Sequence, residues 1–161
     1  MKKIYLLLLA VLFWTSCSEN NNGIDCELFD PAFPSLYLEL VDAEGANLFE
    51  NGTFDPESIK VEGDFPNAGF SFNPPREFAV PEADIRKLDN TIQLLIPNES
   101  SFQYTIHISE TNSIQISFFA ELTQIPCDLS YYLPLNGTFN DLNFELIEVP
   151  PLQFLGVIEL Q

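Results

Sequence analysis

Two neighbouring stretches of alternating residues constrain the fold of this chain more than any other feature. Apolar and polar side chains alternate along residues 101–109 and again along residues 114–123, and the polar link 110–112 joins the two stretches. A period of two places successive side chains on opposite faces of a β-strand. The pattern therefore predicts a hairpin with one face in a core and the other in water.

Shorter period-2 runs at residues 36–41, 58–62 and 92–96, and apolar segments at 142–149 and 152–160, predict further strands. Turn signals such as Asn51-Gly52, Asn136-Gly137 and Pro150-Pro151 separate them. The only helix candidate is residues 81–88. We predict an all-β fold, an antiparallel β-sandwich of immunoglobulin-like architecture with about seven to nine strands.

The N-terminal segment carries the features of an export signal. Lys2 and Lys3 precede an apolar stretch of 11 residues, 4–14, and the small polar residues Thr15 and Ser16 follow it. This stretch fits a secretory signal and is too short to cross a bilayer, which takes about 20 apolar residues. Residues 1–16 are therefore predicted to be a signal peptide that is removed.

Cys17 stands directly after this segment, in the context Ser16-Cys17-Ser18-Glu19-Asn20. The arrangement resembles the signal of bacterial lipoproteins, and in particular the looser lipobox of Bacteroidota. Trp14 departs from the usual pattern, which has an aliphatic residue at that position. The resemblance implies that the Cys17 thiol is lipidated and that Cys17 becomes the new N-terminus. The alternative is an ordinary secretory signal with an incidental cysteine at its end.

The domain itself resembles small lipoproteins of the same bacterial group, through the strand at 35–41 and the segments 42–48 and 51–54. This resemblance carries no activity that could be transferred to a residue. With Ser18 in place of the aspartate that retains enteric lipoproteins, the resemblance implies an outer-membrane protein. The single acid Glu19 leaves its periplasmic or surface orientation open. Residues 17–25 are interpreted as a lipidated flexible tether, and 26–161 as one domain.

Composition limits the partners of the mature chain. Removal of the signal leaves 145 residues, a single-domain length. The mature chain then contains four basic and 24 acidic residues, which gives a formal charge of −20. Such a surface repels nucleic acid and anionic lipids, so no nucleic-acid partner is expected. The acidity indicates solubility in an extracytoplasmic setting or, alternatively, a weak divalent-cation or cationic-partner role.

Cys26 and Cys127 remain once Cys17 is assigned to the anchor. An even pair in an exported chain predicts a disulfide. Two free thiols or a metal pair are the alternatives, and His107 as the only histidine disfavours the metal pair.

The sequence contains no catalytic motif, and we predict that the chain is not an enzyme. Alternation places His107 on the solvent-exposed face of a strand, and the sequence has no second histidine. No cofactor is implied. Asp42, Glu44 and Asn47 surround a glycine turn and are candidates for calcium ligands, with a solvated acidic turn as the alternative.

Aromatic side chains provide the remaining binding candidates. Trp14 leaves with the signal, so Phe119, Tyr131 and Tyr132 form the candidate binding surface, unless the two tyrosines belong to a half-buried strand. We expect a lipid-anchored envelope protein that acts through contacts with an envelope protein partner. The alternative is a ligand-binding lipoprotein for a glycan, a peptide or calcium.

Overall fold

A computed structural model describes residues 23–160 of the chain. The predicted signal peptide, Cys17 and the start of the tether lie outside these residues. Ten strands are present in the described part, where the sequence predicted about seven to nine. They are β1 (Ser35–Val41), β2 (Lys60–Gly63), β3 (Phe70–Asn73), β4 (Thr91–Leu94), β5 (Ser101–His107), β6 (Ser113–Ile125), β7 (Leu129–Phe139), β8 (Leu142–Glu145), β9 (Ile147–Val149) and β10 (Gln153–Glu159).

The strands form two five-stranded sheets that pack as an open sandwich. The first sheet has the order β3-β4-β1-β10-β9 and the second the order β2-β5-β6-β7-β8. The second sheet is antiparallel throughout. The first is mixed, because β1 and β10 run parallel from the pair Ser35–Gln153 to the pair Val41–Glu159. The predicted all-β sandwich is thus confirmed, with one parallel pair at the centre of an otherwise antiparallel arrangement.

The core lies between the inner faces of the two sheets. Leu36, Leu38 and Leu40 of β1 are fully buried against aromatic and branched side chains of the second sheet. Phe102 stacks on Phe118 with ring centroids 5.5 Å apart. Burying such large side chains is the main favourable term in folding.

A smaller apolar cluster covers the outer face of the first sheet. Tyr37 of β1 packs there with Leu88, Val149 and Leu155. Leu88 ends a short 3-10 helix, Asp84–Leu88, in the long connection between β3 and β4. We call residues 74–90 the cover loop. Because this loop shields the centre of the sheet, β1 is buried on both faces.

Several sequence predictions are confirmed at the level of elements. The predicted hairpin is β5 and β6, paired from Ser101–Phe119 to His107–Ser113. The helix candidate at 81–88 contains the 3-10 helix, one turn shorter at its start. The segment 142–149 forms two strands, because the chain passes from the second sheet to the first near Leu146.

The prediction of a turn at Asn136-Gly137 was wrong. Both residues lie inside β7, and Gly137 is paired with Phe118 and Phe144. The Phe144 ring lies so close to Gly137 that a side chain there would collide with it. Glycine serves at this position to admit a ring rather than to turn the chain.

Candidate functional site

A cleft of about 970 Å³ opens on the outer face of the first sheet, beside the cover loop. Leu155 and Val157 of β10 and Ile147 of β9 form its apolar side. Pro81 and Ala83 of the cover loop form the opposite wall. We call this the cover-loop cleft. Its volume is within the range of small-molecule and peptide sites.

Asn47 fixes the floor of this cleft. Its buried side chain donates to Glu39 Oε1 and to the Asn90 carbonyl, both at 3.1 Å. Its oxygen accepts the Phe49 and Glu50 backbone N–H groups at 2.9 and 3.1 Å. Of these four hydrogen bonds, the one to the Asn90 carbonyl joins the turn after β1 to the end of the cover loop.

Charges of both signs line the cleft. Arg86 Nε lies 2.9 Å from Asp89 Oδ2, and Lys87 Nζ lies 2.8 Å from Asp84 Oδ1. Both cations are therefore paired within the cover loop. The lining acids Glu39, Glu50, Glu82 and Asp89 outnumber the two lining cations, so the cleft is net acidic.

A second cleft, of about 1000 Å³, lies at the end of the sandwich where β5 turns into β6 and β7 into β8. Polar side chains of the second sheet line much of it. Gln103, Ser117, Thr138 and Asn143 are neighbours across four successive strands. Gln103 Nε2 donates to Ser117 Oγ at 3.0 Å. We call this the amide cleft.

His107 occupies the outer face of the second sheet, as alternation predicted. Its side chain is 36% exposed, and its Nε2 lies 3.6 Å from Glu62 Oε2. No hydrogen bond to Nε2 is present within the described residues. The position offers one imidazole and one carboxylate on the paired strands β2 and β5, outside both clefts.

Tyr104 is the one described ionisable group with a clearly shifted pKa. Burial in the aromatic core and, to a lesser degree, the nearby Asp64 carboxylate raise the pKa of its phenol far above the usual value. The hydroxyl donates to the Leu95 carbonyl at 2.7 Å. Tyr104 is therefore a neutral structural residue.

The calcium candidates form a turn. Asp42 Oδ1 accepts the backbone N–H groups of Glu44 and Ala46 at 3.1 and 2.8 Å. Asn47 is turned into the protein towards Glu39. Among residues 23–160, no three His, Cys, Asp or Glu side chains converge as metal ligands. The spacing that suggested calcium is thus also the spacing of an Asx-type turn.

The three aromatic candidates lie on the neighbouring strands β6 and β7. Phe119 is exposed on the outer face of the second sheet, beside Ser101 and Asn136. Tyr131 and Tyr132 are successive residues of β7 and are both partly buried. The Tyr131 ring meets the Phe33 ring edge-on at 6.1 Å.

The β6–β7 hairpin extends beyond its sheet as an arm, residues 120–135. β5 begins opposite Phe119 and β8 ends opposite Asn136, and no other described strand pairs with the arm. Cys127 at its tip is bonded to Cys26, with Cα atoms 5.6 Å apart. The predicted disulfide is therefore present, and it joins the N-terminal segment to the arm.

The sequence analysis predicted neither the cover-loop cleft nor the exposed apolar residues of the cover loop. Phe78 is fully exposed in this loop and Val80 is largely exposed. The segment contains no periodic pattern that would reveal its place over β1. The signal available was three prolines, Pro74, Pro75 and Pro81, around two bulky apolar residues.

Comparisons of the chain with protein-family models, with curated proteins and with solved structures find no match. Within residues 23–160, no helix has the length and apolarity needed to cross a membrane.

Proposed function

We propose that this chain is an exported, lipid-anchored protein of the outer membrane that acts through contacts with an envelope protein rather than by catalysis. The disulfide carries the first part of this proposal. It occupies two of the three cysteines, and structural disulfides belong to oxidising compartments. Cys17 is the third, at the end of the apolar segment where a lipidated cysteine stands in bacterial lipoproteins.

Lipidation would give a stable attachment. Each buried methylene contributes about 0.8 kcal/mol, so two or three acyl chains hold a protein at a membrane. The formal charge of −20 opposes adhesion to anionic lipids and to nucleic acid. The membrane and a protein are thus the partners that we propose.

Fatty-acid labelling in cells tests the anchor. Cells are fed an alkyne fatty acid, and the chain is compared with Cys17→Ser and with the double variant Cys26→Ser/Cys127→Ser. We expect label and membrane association in the wild type and the double variant, and loss of both in Cys17→Ser. Equal membrane association of Cys17→Ser would refute lipidation at this residue. Protease treatment of intact cells then decides between the two faces of the membrane, since only a surface domain is cut.

The cover loop supports the proposal of protein contacts. It exposes Phe78 and Val80 close in sequence to the wall of a cleft with an apolar side. Exposed aromatic and aliphatic side chains beside a charged rim are typical of protein interfaces.

Site-specific photo-crosslinking tests this surface. A photoreactive amino acid is placed at Phe78 and, as a control, at Leu142, the exposed first residue of β8. We expect a discrete adduct in intact cells from the first position and none from the second. The same adduct from Leu142, or none from Phe78 when other surfaces do crosslink, would refute the cover loop as the contact surface.

A ligand-binding role is the second proposal, and the amide cleft favours it. Its row of amide and hydroxyl side chains suits the hydroxyl groups of a glycan or the backbone of a peptide. Titration with soluble glycans and peptides, followed by NMR, should shift Gln103 and Asn143 first. The variant Gln103→Ala/Asn143→Ala should lose those shifts while retaining the wild-type melting temperature.

We also propose that the sandwich is immunoglobulin-like. Its two face-to-face sheets and the parallel pairing of the first and last strands support this description. The central position of β1 in its sheet is a departure from that architecture.

A further inference from the structure

The arm lies at the end of the domain that is nearest to Cys17 along the chain. Nine residue steps separate Cys17 from Cys26, a reach of about 30 Å at ~3.3–3.6 Å per residue. A flexible tether of that length spans on average only about 16 Å. Because Cys26 is bonded to Cys127, this limit applies to the tip of the arm itself. An anchor at Cys17 would therefore hold the arm tip beside the membrane surface.

Exposed apolar side chains are concentrated at this same end. Among residues 23–160, six of the twelve exposed large apolar side chains lie on the arm, directly before it or on the N-terminal segment bonded to it. They are Leu28, Phe33, Phe119, Leu122, Leu129 and Leu135. The opposite end, around residues 109–112 and 140–143, presents mainly Ser, Thr, Asn and acidic residues, with Leu142 as the exception.

The charges at the arm determine which lipid headgroups it can contact. Residues 23–34 and 120–135 contain no Lys or Arg. Their acids Asp25, Glu27, Asp30, Glu121 and Asp128 are all exposed and can remain in water. Such a surface would be repelled by anionic lipids and suits zwitterionic headgroups. Tyr131, whose ring meets that of the exposed Phe33, is a residue type that favours the membrane–water interface.

We propose that the arm and the disulfide-linked residues 26–34 form a membrane-resting surface, whose apolar side chains enter the headgroup region of a zwitterionic lipid layer. This inference rests on the proposed anchor, because Cys17 determines which end of the domain meets the membrane. The domain would contact the membrane through its arm. Its cover loop and amide cleft would remain accessible to partners away from the lipid.

Depth-dependent quenching of an introduced tryptophan tests the proposal. The chain beginning at Cys17 contains no tryptophan, and the disulfide leaves Cys17 as its reactive thiol. The Cys17 thiol is coupled to a maleimide lipid in vesicles of phosphatidylcholine with brominated chains. Three variants are compared: Leu129→Trp at the arm tip, Leu28→Trp on the bonded segment, and Leu142→Trp as the control. Leu129 begins β7, and Leu142 of β8 pairs with Phe139 at the other end of β7, about 33 Å away at ~3.3 Å per residue.

We expect at least about twofold quenching of Leu129→Trp and Leu28→Trp, because an interfacial surface lies about 5–10 Å into the headgroup boundary. Leu142→Trp should retain nearly all its fluorescence. All three positions are exposed, so the substitutions should preserve folding, which circular dichroism verifies. Equal quenching at the three positions, or none at the arm, would overturn the proposal.

Chemical coupling separates this inference from the anchor proposal. If cellular labelling of Cys17 fails while the arm is still quenched, the anchor proposal falls and the lipid contact of the arm stands. A second copy of the chain is the competing occupant of the arm. Sedimentation of the uncoupled chain should show a monomer. A dimer that Leu129→Asp dissociates, and Leu142→Asp does not, would assign the arm to self-association instead.

Discussion

Tyr104 is the residue whose acid–base chemistry the fold changes most. Its hydroxyl lies in the core and donates to the Leu95 carbonyl, and burial raises its pKa far above the value of an unfolded chain. A raised folded-state pKa favours the neutral phenol in the folded protein. The stability that this gives is fully present below the unfolded pKa of about 10 and is lost as pH rises above it.

The raised pKa of Tyr104 determines how the stability of Tyr104→Phe compares with that of the wild type as pH changes. At pH 8 we expect the variant to be less stable by about 1 kcal/mol, from the lost hydrogen bond. Between pH 9 and 11 the wild type should lose about 1.4 kcal/mol through Tyr104, because the unfolded phenol ionises and the folded one does not. The variant has no such loss, so the two urea-unfolding free energies should converge near pH 11. A difference that stays constant with pH would contradict the assignment.

At the scale of elements, Gly137 shows how β7, β8 and β10 fit together. The Phe144 ring from β8 packs edge-on to Phe118 at 5.9 Å and lies against Gly137 of β7 and Gly156 of β10. A methyl group at position 137 would also come within 3.0 Å of the Ser117 carbonyl oxygen. Backbone cannot yield there as a flexible side chain would.

We therefore expect Gly137→Ala to cost about 2–4 kcal/mol of unfolding free energy, as overpacking in a core does. Gly69→Ala is the matched control, because its nearest atom is the Asn67 carbonyl oxygen at 4.0 Å. It should change stability by less than about 0.5 kcal/mol. Replacing Phe144 by Leu in the Gly137→Ala background should restore part of the loss. If this second substitution only adds to the loss, the ring is not the obstacle.

The disulfide constrains an element rather than the core. Removal of both thiols in Cys26→Ser/Cys127→Ser should lower the unfolding free energy by about 2–4 kcal/mol, since the loop it closes is long. Amide exchange should accelerate first near the arm tip, because the base of the arm is also held by Ala120, Tyr132 and Leu133, which pack in or against the core. Reduced wild-type protein should show the same exchange pattern, whereas Cys17→Ser should not. An unchanged arm in the double variant would mean that packing, not the bond, holds it.

The elements that could be predicted from sequence are those with local patterns. The hairpin at 101–123 was predictable because the face on which each side chain lies depends only on its neighbours in sequence. The disulfide Cys26–Cys127 was predictable because two cysteines that follow a predicted export signal are expected to pair. Gly137 was misread because glycine signals both turns and close approach, and only the distant Phe144 distinguishes the two. The neighbours of the aromatic candidates at 119, 131 and 132 could not be predicted from sequence, because a register shift at Phe119–Ala120 determines which residues of β6 and β7 are paired.

At the scale of the whole molecule, the topology depends on contacts that no local pattern contains. β1 and β10 pair in parallel although more than a hundred residues separate them. The burial of Tyr37 on the outer face depends on the cover loop, which has no periodicity of its own. The cover-loop cleft follows from these two non-local facts, so it could be found only in the structure.

The acidity of the chain lowers the stability of the whole molecule through repulsion between its charges. The formal net charge is −18, or −20 counted from Cys17, and these negative charges repel one another in the folded state more than in the expanded one. Raising NaCl from about 0.01 to 0.5 M shortens the Debye length from about 30 Å to under 10 Å. Stability should therefore rise on the order of 1 kcal/mol as the repulsion is screened. Urea unfolding at each salt concentration measures this.

Calcium chloride at matched ionic strength separates screening from binding. A specific site would add stability that grows with the logarithm of calcium concentration above its dissociation constant. We expect no such addition, because Asp42 caps its own turn and Asn47 points to Glu39 and Asn90. The variant Asp42→Asn, which keeps a turn-capping oxygen, should behave as the wild type in both salts. Extra stabilisation by calcium that disappears in Asp42→Asn would contradict this and restore the calcium-binding alternative.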